Sequence, residues 1–263
     1  MAILGSDEPP AVEVVREDAE TQFFFVCDHA SARIPRSLDN LGLEPDLLQR
    51  HVAWDIGAAE VARRLGNRFK APLLVSGYSR LVIDVNRRLE DAASIAVQSD
   101  GHLIPGNRDL SVEQVTLRAE TFFWPYHWAI ARQIDRVRER GQVPAIISLH
   151  SFTPEFGHVA RPWPIGVLWN NDGRIARPLM QQLRASKQIC VGDNQPYSAH
   201  SPYGYTMNAH AETAGLPHVL IEVRQDIIAT AAGADQWSNI LGDALSEILE
   251  DHDIYHIEHF IDD

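Results

Sequence analysis

Short apolar runs, each stopped abruptly by polar residues, recur along the chain and are separated by stretches with helical spacing. Runs of this kind are typical of strands buried in a parallel sheet. They predict strands at 23–27, 71–76, 81–85, 145–149, 165–169 and 219–223.

Helical spacing of the apolar residues predicts the helices that connect these strands. They are expected over 43–69, over 111–140, from the turn at 170–173 to about 187, and over 236–249. Ser111 is the expected N-cap of the second helix, and Gly141 ends it. Residues 90–108 are rich in Asp, Ser, Gly and Asn and predict a long surface loop.

The alternation of strands and helices predicts an α/β fold. We expect a three-layer α/β/α sandwich whose central sheet is mostly parallel and is covered by helices on both faces. The sequence has no internal repeat and no linker long enough to separate domains. Residues 1–263 are therefore expected to form one domain, with an N-terminal extension at 1–20 and an acidic, histidine-containing tail at 250–263.

Composition and charge narrow the classes of function. The 263 residues are 45% hydrophobic and 22% charged, which is the balance of a globular protein. The net charge of −13 argues against a nucleic acid partner, because phosphate binding needs a basic surface. Local arginines can still bind a small anionic molecule.

The number of cysteines and the N-terminal sequence bear on the cellular compartment of the protein. The two cysteines, Cys27 and Cys190, imply no disulfide framework, so a reducing cytoplasm is expected. Acids and prolines occupy the first twenty residues, a pattern that does not predict a signal peptide. No apolar run is long enough to predict a membrane span.

Polar residues suited to metal chemistry stand at or within three of the apolar strands. His29 follows FFFVCD, His150 follows AIISL, and Glu222 lies inside VLIEV. Ligands bind at the carboxyl ends of parallel strands, so these residues are expected to converge. Two imidazoles and one carboxylate are a common set for catalytic zinc, and Asp55 is the candidate carboxylate. An acid inside an apolar strand is costly, which makes Glu222 the candidate base.

Each of these residues also has a plainer interpretation. A histidine at a strand end is often only hydrogen-bonded, and this applies to both His29 and His150. Asp55 fits a surface position on a helix. Asp28 is an alternative ligand to Asp55, although consecutive residues of an extended segment point in opposite directions, which disfavours Asp28 beside His29.

A second group of polar residues flanks the predicted strand 81–85. Arg80, Asn86 and Arg87 are candidates to bind the carboxylates of a substrate, because a guanidinium holds a carboxylate with two parallel hydrogen bonds. The alternative is a structural ion pair between Asp84 and an arginine. Arg224 shares a strand face with Glu222 and is a candidate to assist in substrate binding, or to pair with Glu222.

Other histidines are less specific. His127 and His210 are candidates to polarise a carbonyl or to protonate a leaving amine, and spacing does not choose between these roles. The C-terminal group of His252, His256 and His259 has suggestive spacing but no apolar surroundings, so a solvated helix end is expected.

Six segments occur in a recognisable order and cover about residues 20–230. They are CDHAS (27–31), HVAWDIGA (51–58), YSRLVIDVNR (78–87), PYHWAI (125–130), SLHSFTP (148–154) and HAETAGLPHVLIEVRQD (210–226). Together they resemble the N-formylglutamate amidohydrolase family. The resemblance implies a phosphorylase/hydrolase-like α/β/α fold related to zinc carboxypeptidases and to zinc amidases that trim cell-wall peptides.

The resemblance also implies a zinc site and a reaction. Carried over, the zinc ligands fall on His29, Asp55 and His150, and the base falls on Glu222. The HxxE spacing of the carboxypeptidases is absent, because Ala32 stands three residues after His29. The implied activity is hydrolysis of N-formyl-L-glutamate, or of a similar small N-acyl amino acid, as in histidine degradation.

The working hypothesis combines both lines of reasoning. A zinc-dependent amidohydrolase would use Glu222 and His127 in catalysis, while Arg80, Asn86, Arg87, Arg224 and His210 would bind an anionic N-acyl amino acid. No nucleic acid or membrane partner is expected, and the sequence does not define the oligomeric state. The rival hypotheses are a zinc N-acetylmuramoyl-L-alanine-amidase-like cell-wall hydrolase and a non-catalytic ligand-binding protein of the same fold.

Overall fold

The computed structural model describes residues 2–187, 189–199 and 204–260. Its strands are β1 (Val12–Val15), β2 (Phe23–Cys27), β3 (Leu73–Ser76), β4 (Gln98–Ser99), β5 (His102–Leu103), β6 (Ala145–Phe152), β7 (Glu155–Phe156), β8 (Val159–Ala160), β9 (Ile165–Leu168), β10 (Val191–Asp193) and β11 (His218–Arg224). Its α-helices are α1 (Pro45–Leu48), α2 (Ala58–Phe69), α3 (Val112–Arg118), α4 (Trp124–Glu139), α5 (Ala176–Lys187), α6 (Thr206–His210), α7 (Gln225–Ile228) and α8 (Ala231–Glu250). Short 3₁₀ segments lie at Arg36–Gly42, Pro105–Asn107, Glu212–Ala214 and His252–Ile254, and a π-helical segment at Ala119–Phe123 joins α3 to α4.

A seven-stranded, mostly parallel sheet forms the centre of the molecule. The strand order is β1-β3-β2-β6-β11-β9-β10. Neighbouring strands from β3 through β2 and β6 to β11 are parallel, as are β9 and β10. β1 is antiparallel to β3, and β9 is antiparallel to β11. The predicted mostly parallel sheet is therefore confirmed.

Helices cover both faces of the sheet, and β2 shows how the sequence produces two cores. All five of its residues are buried. Phe23, Phe25 and Cys27 pack in a core that also contains buried residues of α2, α5 and α8. Phe24 and Val26 pack on the opposite face, in a core that contains buried residues of α4. Side chains alternate across a strand, so an uninterrupted apolar run supplies both cores, as the three-layer prediction requires.

The predicted strand at 81–85 is wrong. Turns replace it, with Val82 N donating to Ser79 O and Arg87 N donating to Asp84 O. Its apolar side chains are nevertheless buried, namely Leu81, Val82, Ile83 and Val85. An apolar run reports burial, and a compact loop packed on the core gives the same signal as a strand.

The predicted helix at 43–69 is also wrong in its first half. Between residues 43 and 57 only α1 is helical, and α2 begins at Ala58. Gly57, with φ +82°, starts α2 from a left-handed conformation that favours glycine. Asp55 therefore lies in the turn before α2 and not on the helix itself.

Other boundaries differ less. Ser111 caps α3 through a capping box with Gln114, and Gly141 follows the end of α4, as predicted. β6 continues to Phe152, so His150 lies within the strand. The apolar pattern does not predict β1 and β10, which are the two edge strands of the sheet. Among the described residues, no helix combines the length and apolar character that crossing a membrane requires.

Candidate metal centre

The fold brings four residues together at the carboxyl ends of the central strands, namely His29, Asp55, His150 and Glu222. His29 lies two residues after the end of β2, and His150 lies in the neighbouring parallel strand β6. Glu222 is the register partner of His150 on β11. Asp55 comes from the turn before α2, and its backbone N–H donates to His29 O at 2.9 Å. The convergence predicted at the carboxyl ends of the strands is present in the structure.

Two imidazoles and one carboxylate form a compact cluster. Asp55 Oδ2 lies 3.4 Å from His29 Nδ1 and 2.8 Å from His150 Nδ1. One ligand atom from each of the three residues lies within 4.8 Å of the others, and all three side chains are buried. A nitrogen–nitrogen–oxygen set at this separation fits a divalent cation such as Zn²⁺ and leaves a coordination position open.

The far side of each imidazole is held by another buried carboxylate. His29 Nε2 lies 2.7 Å from Asp84 Oδ1, and His150 Nε2 lies 3.0 Å from Asp28 Oδ2. When Nε2–H donates to a carboxylate, the tautomer is fixed and the Nδ1 lone pair faces the cluster. This arrangement is common around histidines that bind metals in proteins.

The geometry favours Asp55 over Asp28 as the carboxylate ligand. Asp28 Oδ2 accepts from His150 on the ring side that faces away from Asp55. Its other oxygen, Oδ1, accepts hydrogen bonds from Tyr126 Oη at 2.7 Å and Thr206 Oγ1 at 3.0 Å. Asp28 is therefore occupied in holding His150.

The cluster is electrostatically suited to positive charge. Burial by itself would lower the pKa of His150, but hydrogen bonds to Asp28 and Asp55 outweigh burial and hold that pKa well above its usual value. Burial would raise the pKa of Asp55, yet the neighbouring His29 and the hydrogen bond from His150 hold it well below its usual value. Carboxylates that favour charge on two imidazoles also favour a dication between them.

Glu222 is the unusual acid of the site. It is 6% exposed, and its Oε2 has no hydrogen-bond partner in the described part of the chain. Burial raises the pKa of Glu222 to about 7, with the charge of His150 opposing the shift and that of Asp55 adding to it. A carboxyl group with such a pKa can accept and return a proton near neutral pH.

A cavity of about 50 Å³ opens onto this cluster, and we call it the inner cavity. Its described lining consists of His29, Asp55, Arg80, Asn86, Arg87, His150, Ser151, Leu168, Tyr197, Gly204, Leu220 and Glu222. The three residues predicted to bind substrate carboxylates beside the strand-like segment, Arg80, Asn86 and Arg87, are therefore all present at the cavity.

Arg80 satisfies both interpretations drawn from the sequence. Its Nη2 donates to Asp84 Oδ2 at 2.7 Å, which is the structural pair, and the same side chain lines the cavity. Asn86 is oriented by the backbone, because its Oδ1 accepts from Thr206 N at 2.9 Å. With Oδ1 engaged in this way, the amide NH₂ is the group of Asn86 suited to donate to a substrate.

His127, His210 and Arg224 do not line the inner cavity. His127 Nδ1 lies 2.9 Å from His210 Nε2, and His127 Nε2 lies 2.9 Å from Val85 O. Burial lowers the pKa of His210 to about 4. Burial and the neighbouring charge of His210 lower the pKa of His127 to about 4, and both rings are therefore favoured in the neutral form. Arg224 pairs with Asp226 at 2.8 Å. These contacts favour structural roles, and the roles predicted from sequence stay predictions.

Three residues that contribute to the site are not among the site residues predicted from the sequence. Tyr126 and Thr206 fix Asp28 from 98 and 178 positions away in the chain, so spacing could not connect them. Tyr197 lines the inner cavity from a segment that has no periodic pattern. The C-terminal histidines His252, His256 and His259 are exposed, as expected.

Comparison with known proteins identifies solved structures that this chain resembles. The chain is 35% identical to the gene product Atu2144 from Agrobacterium tumefaciens, with a TM-score of 0.87 over 94% of this chain and 99% of that one. It is 20% identical to an N-formylglutamate amidohydrolase from Ralstonia eutropha JMP134, with a TM-score of 0.67 over 92% of this chain and 98% of that one. No curated protein matches the sequence.

The sequence profile of one family provides the assignment. That profile, described as N-formylglutamate amidohydrolase, matches residues 21–229 and so includes His29, Asp55, His150 and Glu222. The match covers most of the chain and agrees with the resemblance of its six segments. The chain therefore belongs to the N-formylglutamate amidohydrolase family.

Proposed function

We propose that this protein is a zinc-dependent amidohydrolase that cleaves N-formyl-L-glutamate or a related small N-acyl amino acid. Membership of the family supports an amidohydrolase. The observation that carries the zinc proposal is the convergence of His29, Asp55 and His150 within 4.8 Å. Glu222, with an unpartnered oxygen at the same cavity, adds the proton acceptor that such a hydrolase needs.

The proposed ligands are His29 Nδ1, His150 Nδ1 and Asp55 Oδ2. Zinc at such a site supplies Lewis-acid chemistry, which makes water a stronger acid and polarises a carbonyl group. Asp84 and Asp28 would keep the two imidazoles in the tautomer that presents Nδ1.

Glu222 moves the proton in the proposed reaction. Its carboxylate takes a proton from the attacking water as the new C–O bond forms at the acyl carbon. It then returns the proton to the amide nitrogen as the C–N bond breaks, which gives a carboxylic acid and a free amino acid. The pKa of about 7 suits a group that performs both transfers near neutral pH.

Arg80, Arg87 and Asn86 would orient the substrate by binding its carboxylates. Arg80 and Arg87 line the inner cavity and bring positive charge to a protein whose net charge is −13. Such groups hold a reacting amide in a fixed position, which contributes to catalysis by lowering the entropy cost of reaching the transition state.

The proposal is tested by metal analysis of the purified protein and an amine-release assay. N-formyl, N-acetyl and N-succinyl derivatives of glutamate and other amino acids form the substrate panel. We expect one zinc ion per chain and amine release from acidic N-acyl amino acids. Release from muropeptides alone would instead identify a cell-wall hydrolase, and absence of both metal and release would identify a ligand-binding protein.

A further inference from the structure

A second and larger cavity adjoins the inner cavity. We call it the outer cavity, and its volume is about 610 Å³. Arg80, Arg87 and Tyr197 line both cavities, so the two adjoin at these side chains. Phe156, from the β7–β8 hairpin, lines the outer cavity but not the inner cavity.

The inner cavity is the smaller of the two. At roughly 10–15 Å³ for each water-sized group, its volume of about 50 Å³ holds about four such groups. That is enough for the reacting amide and a water molecule. The outer cavity, whose volume falls within the roughly 300–1,000 Å³ usual for ligand sites, has room for the rest of an N-acyl amino acid.

The aromatic wall of the outer cavity is held in place by Arg161. This side chain is 9% exposed, and its guanidinium carbon lies 5.0 Å from the ring centroids of both Phe156 and Tyr197. Its Nη1 donates to Thr153 Oγ1 at 3.0 Å and to Tyr197 Oη at 3.3 Å. One buried cation therefore fixes two aromatic rings that come from different segments of the chain.

Another part of the lining is also built from paired side chains. Asp100, between β4 and β5, lies 3.5 Å from His51 Nε2 and 3.6 Å from Arg50 Nη2. Phe156 is nevertheless 62% exposed on its side of the cavity. A large apolar ring that is held in position but left open to solvent at a cavity edge is suited to contact a ligand.

We infer that the substrate carries an acyl group larger than formyl, with an apolar or aromatic part that lies against Phe156 and Tyr197. This inference rests on the proposed function. In that proposal the carboxylates of the amino acid are bound by Arg80, Arg87 and Asn86. The uncharged acyl group is then the part of the substrate that suits an aromatic wall.

The first test compares hydrolysis of N-formyl-, N-acetyl-, N-hexanoyl- and N-benzoyl-L-glutamate by the zinc-loaded protein. We expect kcat/KM to rise with the size of the acyl group, by roughly tenfold from formyl to benzoyl, mainly through a lower KM. A kcat/KM that is highest for the formyl compound and falls as the acyl group grows would overturn the inference while leaving the proposed function intact.

Phe156→Ala links the preference to the outer cavity. We expect its loss of kcat/KM to be roughly five- to tenfold greater for N-benzoylglutamate than for N-formylglutamate. Val159→Ala on the same hairpin is the matched control, because Val159 is 68% exposed and is not part of the described cavity lining. Equal losses on both substrates in Phe156→Ala would contradict the inference.

A binding measurement separates this inference from the proposed function. N-benzyl-L-glutamate and N-methyl-L-glutamate lack a hydrolysable amide, so calorimetry with them does not depend on turnover. We expect the benzyl compound to bind roughly tenfold more tightly and to lose that advantage in Phe156→Ala. If binding shows this pattern and no substrate is hydrolysed, the proposed function is wrong while the outer-cavity inference stands. Equal affinities for both compounds would overturn the outer-cavity inference.

Discussion

Asp28 and Asp55 are similar side chains whose different hydrogen-bond partners suit them to different roles. Both are buried carboxylates that lie within hydrogen-bonding distance of His150, one at each ring nitrogen. Asp55 also lies beside His29, which places it at the centre of the cluster. Asp28 is held by Tyr126 and Thr206, which suits it to orient His150. Glu222 differs from both because one of its oxygens has no partner among the described residues.

Glu222→Gln tests the role of the base. The amide keeps the size of the side chain but cannot accept a proton, so we expect kcat to fall by about 10²–10⁴ with the zinc content unchanged. Steady-state kinetics and elemental analysis measure the two quantities. Near-normal turnover in this variant would exclude Glu222 as the proton acceptor.

The pH dependence follows from the same residue. A base must be ionised, so kcat/KM should rise with pH as Glu222 loses its proton. The pKa of Glu222 is about 7, and the positive charge of a bound cation would lower it, so we expect the rising limb at or below about pH 7. Glu222→Gln should lack this limb, and a limb that persists unchanged in the variant would belong to another group.

His150→Ala tests the ligand set. Removing one of two nitrogen ligands should abolish zinc binding at equimolar metal, which elemental analysis after gel filtration measures. His259→Ala is the matched control, since His259 is an exposed histidine of the C-terminal tail. Full zinc occupancy in His150→Ala would show that the metal binds elsewhere.

Asp28→Asn tests the support of His150. An amide in this position no longer carries the charge that fixes the imidazole, so we expect zinc affinity to fall by about 10–100-fold. Competition with a chelator gives the affinity directly. An unchanged affinity would show that Asp28 is not needed to orient His150.

At the residue scale, sequence analysis identified the groups that interrupt apolar strands. His29, His150 and Glu222 stand out because each is polar in or next to a buried run. Tyr126 and Thr206 do not stand out, because a tyrosine on a helix and a threonine in a polar segment are ordinary. Their roles depend on packing between distant segments, which no local pattern records.

At the scale of elements, the turn before α2 is decisive because it delivers Asp55 to the cluster. The Asp55 backbone N–H is bonded to His29 O, and Gly57 follows two residues later with φ +82°. A β-carbon at Gly57 would lie only 2.3 Å from Ile228 O. Both the conformation and the close approach therefore require glycine.

Gly57→Ala should destabilise the protein and weaken zinc binding together. Strain at positive φ and a steric clash each cost about 1–2 kcal/mol, so we expect the free energy of unfolding to fall by about 3 kcal/mol. Gly101→Ala is the control, because φ there is +78° but nothing lies within 4 Å of an added β-carbon. Urea denaturation should give a loss of only about 1–2 kcal/mol for Gly101→Ala. Equal losses in the two variants would argue against a tight contact at Gly57.

Element prediction succeeded for the buried strands and failed where apolar residues pack in irregular structure. The segment at 81–85 is buried like β2 and has four apolar residues, yet it is folded into turns. The edge strands β1 and β10 lack a comparable run of buried residues, so their pairing could not be read from the pattern. Hydrophobic periodicity reports burial first and backbone conformation only indirectly.

At the scale of the whole molecule, strand order explains why the site exists. β2, β6 and β11 are consecutive in the sheet although they are distant in sequence. They place His29, His150 and Glu222 at the same end of the strands. The loop that contains Arg80, Asn86 and Arg87 lines the inner cavity there. The sequence predicted a parallel sheet and hence this convergence, but it could not supply the strand order that makes the three strands neighbours.

The identity of the metal ligands is measured directly by anomalous diffraction at the zinc edge. Crystals of the zinc-loaded protein should show one strong peak about 2.0–2.2 Å from His29 Nδ1, His150 Nδ1 and a carboxylate oxygen of Asp55. A zinc peak bound by other residues, or no peak at this cluster in crystals of active enzyme, would contradict a zinc site formed by His29, Asp55 and His150.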